Sequence, residues 1–142
     1  MGKIFYGSYL RNLDEKGRLL LPSTLLKGEE VDRLYVLKGF DGCLSVYLPD
    51  EFSTLMDELK HMDFRDPGQR AFVRLSLASI KELRFDSHGR VLLGADTLAE
   101  YGLGREILIL GAMDHLEFWD KKAFAAYNLR NGASFDAPVR RS

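Results

Sequence analysis

The chain has 142 residues, 46% of them hydrophobic, with 20 basic against 21 acidic side chains and a formal net charge of −1. This composition excludes a disordered chain, allows a sizeable core, and supplies no global charge excess to attract nucleic acid, membrane surfaces or acidic ligands. Any such partner must be met by local charge.

No run approaches the roughly 20 apolar residues that span a bilayer, and "MGKIFYGSYLRN" at the start lacks the apolar core of a secretory signal, so a cytoplasmic protein with no membrane partner is expected. Tyr6 stands where an N-myristoylation signal after Gly2 wants Ser or Thr. A single cysteine, Cys43, excludes an internal disulfide and a multi-cysteine zinc site, and reads as a strand-packing thiol.

In chain order, residues 4–13 and 18–21 read as short strands joined by a hairpin turn at "DEKG". There Asp14 is suited to bond backbone amides in an Asx-turn, and Gly17 to accept positive φ. Pro22 ends the strand, and "STLLKGEE" predicts a helical turn starting at Ser23 or Thr24. "LYVLKG" and "CLSVYL" are β-rich and flank "FDG", in which Asp41-Gly42 signals a second tight turn. Pro49 suits the first position of a helix on which Phe52, Leu55, Met56 and Leu59 share one face.

"FRDPGQRAFVRLSLAS" offers Asp66 as N-cap and Pro67 at N1 of a bridging helix, with Phe72, Leu75 and Ala78 or Ser79 expected toward a core. Phe85 and residues 91–93 then flank a turn at "DSHG", "EILILG" and "LEFW" form a hairpin around Met113-Asp114, and Asp120 caps a helix bearing Phe124 and Tyr127. "NGASFDAPVRRS" has no period and is expected to be mobile.

The second series repeats the first. Laying residues 13–59 over 85–131 without a gap matches ten positions, among them Asp14/Asp86, Gly17/Gly89, Arg18/Arg90, Arg33/Arg105 and Gly39/Gly111. An ungapped match of that length, with similar element types at matching places, is an internal repeat. The expected organisation is a first repeat over 4–62, a bridging helix over 63–78, a second repeat over 79–130 and a tail over 131–142.

The repeated Asp-x-x-Gly-Arg turn admits two readings. In one, Asp14 and Arg18 set the register of a turn, an exposed pair contributing about 0 to 1 kcal/mol. In the other, the turn raises Lys16 and Arg18, with Arg11 on the incoming strand, toward nucleic acid. Arg suits bidentate bonding to guanine O6 and N7, whereas Lys acts as a charge on phosphate. The second copy keeps Arg90 and replaces Lys16 with His88, so the copies are expected to bind unequally.

"LDEKGRLLLP" resembles the hairpin of the SpoVT/AbrB family of bacterial DNA-binding domains. Two such motifs at this spacing, with "GFDGCLSVY" and "QRAFVR" between and "VYLPDEF" and "EFWDKKAF" closing each block, resemble the MraZ family from about Phe5 to Tyr127. The resemblance implies an α+β, mainly β fold in which two tandem SpoVT/AbrB-like half-repeats form a pseudo-symmetric swapped-hairpin β-barrel with flanking helices. It also implies a ring-like homo-oligomer.

By the same resemblance, the function is sequence-specific binding of double-stranded DNA at repeated short sites. The outcome is transcriptional regulation, generally repression, at the promoter of a division and cell-wall gene cluster, with nucleoid association. Site residues carried over are Arg11, Lys16, Arg18, His88 and Arg90 for DNA, with Asp14, Gly17, Asp86 and Gly89 structuring the turns. The chain departs from the family where Thr24 and Leu26 replace basic residues, Gly94 replaces proline and Leu98 replaces arginine.

Nothing in the pattern points to a cofactor, a metal, a small-molecule substrate or catalysis. His61, His88 and His115 lack paired ligand spacing, no phosphate-binding glycine loop occurs, and no local signature sets a base beside Ser8, Ser45, Ser76 or Cys43. Tyr47, Phe118 and Trp119 read as core or subunit packing. The competing reading is an antitoxin-like protein-binding module of the same barrel fold, although such proteins usually carry one motif and a long extended tail.

Overall fold

The computed structural model describes residues 4–26 and 30–136. The first half contains β1 (Ser8–Asn12), β2 (Arg18–Leu20), α1 (Ser23–Leu26), β3 (Arg33–Lys38), a 3₁₀ turn (Phe40–Gly42), β4 (Leu44–Tyr47) and α2 (Pro49–Lys60). After α3 (Pro67–Ser79) come β5 (Lys81–Arg84), β6 (Arg90–Leu92), α4 (Ala95–Glu100), β7 (Glu106–Gly111), β8 (Leu116–Asp120) and α5 (Lys121–Asp136). The second series therefore repeats the strands and helices of the first in the same order, without a counterpart of the 3₁₀ turn. Lys27, Gly28 and Glu29 of the expected "STLLKGEE" turn lie outside the described residues, as do residues 137–142 of the tail.

Strand pairing differs from the local hairpins that the sequence suggests. β1 pairs antiparallel not with β2 but with β7 of the other half, and β5 pairs with β3. The two hairpins, β3–β4 and β7–β8, pair through β4 and β8, giving one six-stranded sheet of order β1-β7-β8-β4-β3-β5. β2 and β6 form a separate two-stranded ribbon.

Thus each half lends its first strand to the hairpin of the other. The ladders of the described residues make a sheet and a ribbon, not one closed barrel. Turns join the ribbon to both sheet edges, through Asp14 N–H donating to Arg18 O at 3.0 Å and Asp86 N–H to Arg90 O at 2.8 Å.

The core follows from strand alternation. Leu34 and Val36 of β3, Ile107 and Ile109 of β7, Val46 of β4, Leu116 and Phe118 of β8, and Leu19 and Val91 of the ribbon are fully buried, together with Phe5. The alternate positions mix polar and apolar side chains, among them Arg33 and Tyr35 of β3, Glu106 and Leu108 of β7 and Arg18 and Leu20 of the ribbon. Cys43 is buried, and burial raises its thiol pKa, which keeps it unreactive.

The repeat is not ungapped in space. The buried pairs of β3 and β7 correspond as Leu34 with Ile107 and Val36 with Ile109, one position beyond the 72-residue offset. The β7–β8 turn, residues 112–115 between Gly111↔Leu116, is one residue shorter than residues 39–43 between Lys38↔Leu44, which restores the offset in β8. Arg105 and Gly111 therefore match Arg33 and Gly39 in sequence but not in position. The two glycines also answer different demands. A Cβ at Gly39 would sit 2.7 Å from both Cys43 Sγ and Ser45 Oγ, whereas one at Gly111 would run into the backbone of Phe5 and Tyr6.

The helices begin where the sequence predicts. Asp66 accepts from Gln69 N–H at 2.8 Å and Asp120 from Ala123 N–H at 3.1 Å, satisfying first-turn amides. On α2, Leu59 is buried, with Phe52 stacked on Tyr35 at 4.0 Å. On α3 the buried positions are Val73 and Ser76, so the expected inward face is rotated. Phe72 and Leu75 lie exposed instead, with Phe72 stacked against Phe40 of the β3–β4 turn at 6.0 Å. α5 continues through Asp136, beyond the boundary expected at residue 130. Trp119 packs against its Phe124 and Tyr127.

Candidate nucleic-acid interface

Each repeated turn is built around its aspartate. The Asp14 carboxylate accepts the backbone N–H groups of Lys16 and Arg18 through Oδ1, both at 2.9 Å, and the Arg18 Nε–H through Oδ2 at 2.7 Å. Gly17 N–H closes the turn onto Asp14 O at 3.0 Å, and Gly17 takes a φ of 78° that only glycine adopts without strain. The second turn is a near copy. Asp86 accepts from His88 N–H at 2.8 Å, Arg90 N–H at 3.0 Å and Arg90 Nε at 2.9 Å, with Gly89 also at φ 78°.

These bonds go to the charged form of the carboxylates and lower the pKa of both. Asp14 is lowered from 3.8 to about 2, chiefly by the Arg18 backbone amide, with the Arg18 guanidinium and the Lys16 amide adding to it against the opposing effect of burial. Asp86 is lowered too, first by the Arg90 backbone amide.

The ribbon brings the two turns together. β2 and β6 pair as Arg18↔Leu92, Leu19↔Val91 and Leu20↔Arg90, so exchanging the halves maps the ladder onto itself about the Leu19–Val91 pair. A pseudo-twofold axis therefore runs through the ribbon. The β4–β8 ladder obeys the same axis at Ser45↔Glu117. Arg90 Nη1 reaches across the ribbon to Asp14 Oδ2 at 3.5 Å, and Leu93 N–H donates to Gly17 O at 3.2 Å.

Lys16 and His88 are exposed at the tips, and Arg90 Nη2 lies 3.4 Å from His88 Nδ1. Arg18 and Arg90 are partly buried, with 30% and 26% of their side-chain surface exposed. Asp14, Glu15 and Asp86 balance Lys16, Arg18 and Arg90, so the paired turns have almost no net charge.

Arg11 is not drawn into this cluster. It lies on β1, its guanidinium 5.8 Å above the Tyr9 ring and its Nη1 donating to Leu10 O at 2.9 Å. A groove of about 370 Å³ beside the first turn is lined by Lys16, Gly17, Gly94, Leu98 and Arg105 among others.

Sequence reasoning passed over Leu20 and Leu92 as strand interior. Both are about half exposed, on the same ribbon face as Arg18 and Arg90 and opposite buried Leu19 and Val91. Alternation within "RLL" and "RVL" is the signal that separates them. Also missed was the staple of β5 to β3, in which Arg33 bonds Glu82 and Asp32 at 3.1 Å each. Those partners come from different halves.

A family model described as "MraZ protein, putative antitoxin-like" matches the chain twice, over residues 4–75 and 77–142. Curated relatives named "Transcriptional regulator MraZ" are similar over most of their length. The one from Acetivibrio thermocellus is 36% identical over 126 residues, covering 88% of this chain and 87% of the relative. That from Corynebacterium glutamicum is 38% identical over 134 residues, covering 94% and 93%, and that from Nocardia farcinica is 39% identical over 124 residues, covering 87% and 86%. With the motif doubled, the two halves interleaved and the match running across both, the chain belongs to the MraZ family.

Proposed function

We propose that this protein is a DNA-binding transcriptional regulator whose reading surface is the ribbon with its paired turns. The observation that carries the reading is the convergence of two aspartate-anchored arginine turns about one axis, presenting Lys16, Arg18, His88 and Arg90 from a rigid support. The names of the relatives favour the same function. Strand exchange between the halves, with the ribbon tied to both sheet edges, favours the swapped-hairpin barrel. Lys16 acts on phosphate and the guanidinium edges of Arg18 and Arg90 on bases, while Arg11 contributes from the flank.

One nearly neutral pair of turns releases few counterions and binds weakly at cellular salt. Several pairs in a ring-like homo-oligomer, facing evenly spaced direct repeats, gain about 10² to 10⁴ in avidity. Exposed Phe72 and Leu75 on α3 with Phe40 beside them, and exposed Leu129 and Phe135 on α5, are apolar groups suited to joining copies. In this reading the target is the promoter of a division and cell-wall gene cluster, the outcome is repression, and the protein is cytoplasmic and nucleoid-associated.

A gel shift on DNA immediately upstream of the gene, at stepped salt, tests the proposal. Repeat-dependent retardation that weakens when Lys16→Ala and Arg18→Ala are introduced is expected. No retardation by the unaltered protein, together with a small protein copurifying with it, would replace the regulator with the antitoxin-like module.

A further inference from the structure

Leu20 and Leu92 are out of place for core residues and well placed for a ligand. They are 49% and 55% exposed, while their strand neighbours Leu19 and Val91 are wholly buried. Each sits directly across the ladder from an arginine, Leu20 from Arg90 and Leu92 from Arg18, so on the outer ribbon face two leucines and two arginines alternate around the axis. Leu20 also lies over the second turn, its Cδ1 placed 3.7 Å from where a Gly89 Cβ would be.

The charge of the face limits what it can recognise. Each arginine is already bonded through Nε to its own aspartate, and Glu15 offsets Lys16. Attraction to phosphates is therefore weak, and a partner must be held by contacts at short range. A two-stranded ribbon fits the major groove, where the arginine edges match guanine and the one apolar group on any base edge is the thymine 5-methyl. Two residues along a strand and one strand across put the leucines roughly 8 Å apart. That is about two base-pair steps at the rise of B-DNA.

On the proposed DNA-binding function, we infer that Leu20 and Leu92 are specificity-determining residues that read thymine methyl groups in the major groove beside the bases contacted by Arg18 and Arg90. The contact is apolar burial, and each methyl removed from water changes an equilibrium constant about four-fold. Two per ribbon give about fifteen-fold for one site, more where several ribbons bind together.

The test leaves the protein unaltered in its first arm. Upstream DNA is prepared with its normal thymines and, separately, with deoxyuridine in their place, which removes only the methyl. The full chain is expected to bind the uracil fragment at least about fifteen-fold more weakly than the thymine fragment. Leu20→Ala/Leu92→Ala, altered only at exposed positions and checked for an unchanged melting temperature, is expected to bind both fragments alike, near the weaker value. Equal affinity of the unaltered protein for both fragments would overturn the inference and leave the DNA-binding function standing. Discrimination that persists in the double variant would also overturn it, assigning the methyls to other residues. Failure of the unaltered protein to bind either fragment would remove the DNA-binding function itself, and this inference with it.

Discussion

Leu19 and Val91 face each other across the β2–β6 ladder, both without exposed surface, and they occupy the same position in the two halves. One contact therefore supports both arginine turns. Leu19→Ala is expected to cost about 2–5 kcal/mol, since a cavity here has walls from both halves that cannot collapse independently. The adjacent Leu20→Ala, at an exposed position, should stay within about 0.5 kcal/mol. Urea unfolding measures both; similar midpoints for the two variants would show that the pair is not the support the ladder makes it.

Gly17 and Gly89 hold φ at 78°, and a Cβ added at either would meet only a leucine methyl, at 3.8 and 3.7 Å, an ordinary contact. The cost of alanine there is therefore a backbone cost, about 1–2 kcal/mol for a left-handed residue. For a chain of this size each kcal/mol lowers the melting temperature by about 2–4 °C. Gly17→Asn, which tolerates the left-handed region better, should lose less than Gly17→Ala. An alanine variant with unchanged melting temperature would count against the turn geometry.

Much of this fold could be read from local chemistry. The aspartate and glycine of each turn, the Asp66 and Asp120 caps and the apolar face of α2 all depend on neighbours within a few residues. Pairing could not be read that way, because β1 and β5 each find their partner in the other half, and nothing near "SYLRN" names "EILILG". The repeat was visible, yet its one-residue slip at β7 was hidden by chance identities at Arg105 and Gly111. The rotated face of α3 had a different cause. Phe72 and Leu75 are apolar and were expected inside, but the helix, which packs on β3, buries the smaller Val73 and Ser76, leaving the larger groups beside Phe40. At the site, the arginines and aspartates were legible from the motif. The exposed leucines between them required knowing which ribbon face is buried.

Acid should loosen both turns together. The Asp14 and Asp86 carboxylates have depressed values in the folded chain, so the stability they contribute is complete above the ordinary carboxylate value of 3.8 and is lost as pH falls, for Asp14 through about 2. Unfolding free energy measured from pH 5 to pH 2 should therefore fall more steeply for the unaltered protein than for Asp14→Asn/Asp86→Asn, which has no such protons to gain. Parallel slopes would mean that the aspartates titrate no differently in the folded and unfolded chains.

The β7–β8 turn should respond in the opposite sense, near neutrality. His115 stacks on Tyr47 at 4.8 Å, its Nδ1 is 2.7 Å from Asp114 Oδ1 and its Nε2 is 3.7 Å from Glu117 Oε2, while Glu117 also accepts from Trp119 Nε1 at 2.9 Å. Burial opposes charge on the imidazole, but the bonds to Glu117 and Asp114 outweigh it and raise its value above 6.5. Glu117 is lowered in turn, chiefly by His115. A raised value means that the stabilising contribution is complete below the unfolded imidazole's value and disappears as pH rises through the folded one. Stability should therefore decline from pH 6 to pH 8 on this account. His115→Phe keeps a ring against Tyr47 without the proton, so it should flatten that decline. Amide exchange of Leu116 and Glu117, followed at both pH values after correction for intrinsic rates, reports the turn directly. Protection that is equal at pH 6 and pH 8 would show that the imidazole does not hold the turn through its charge.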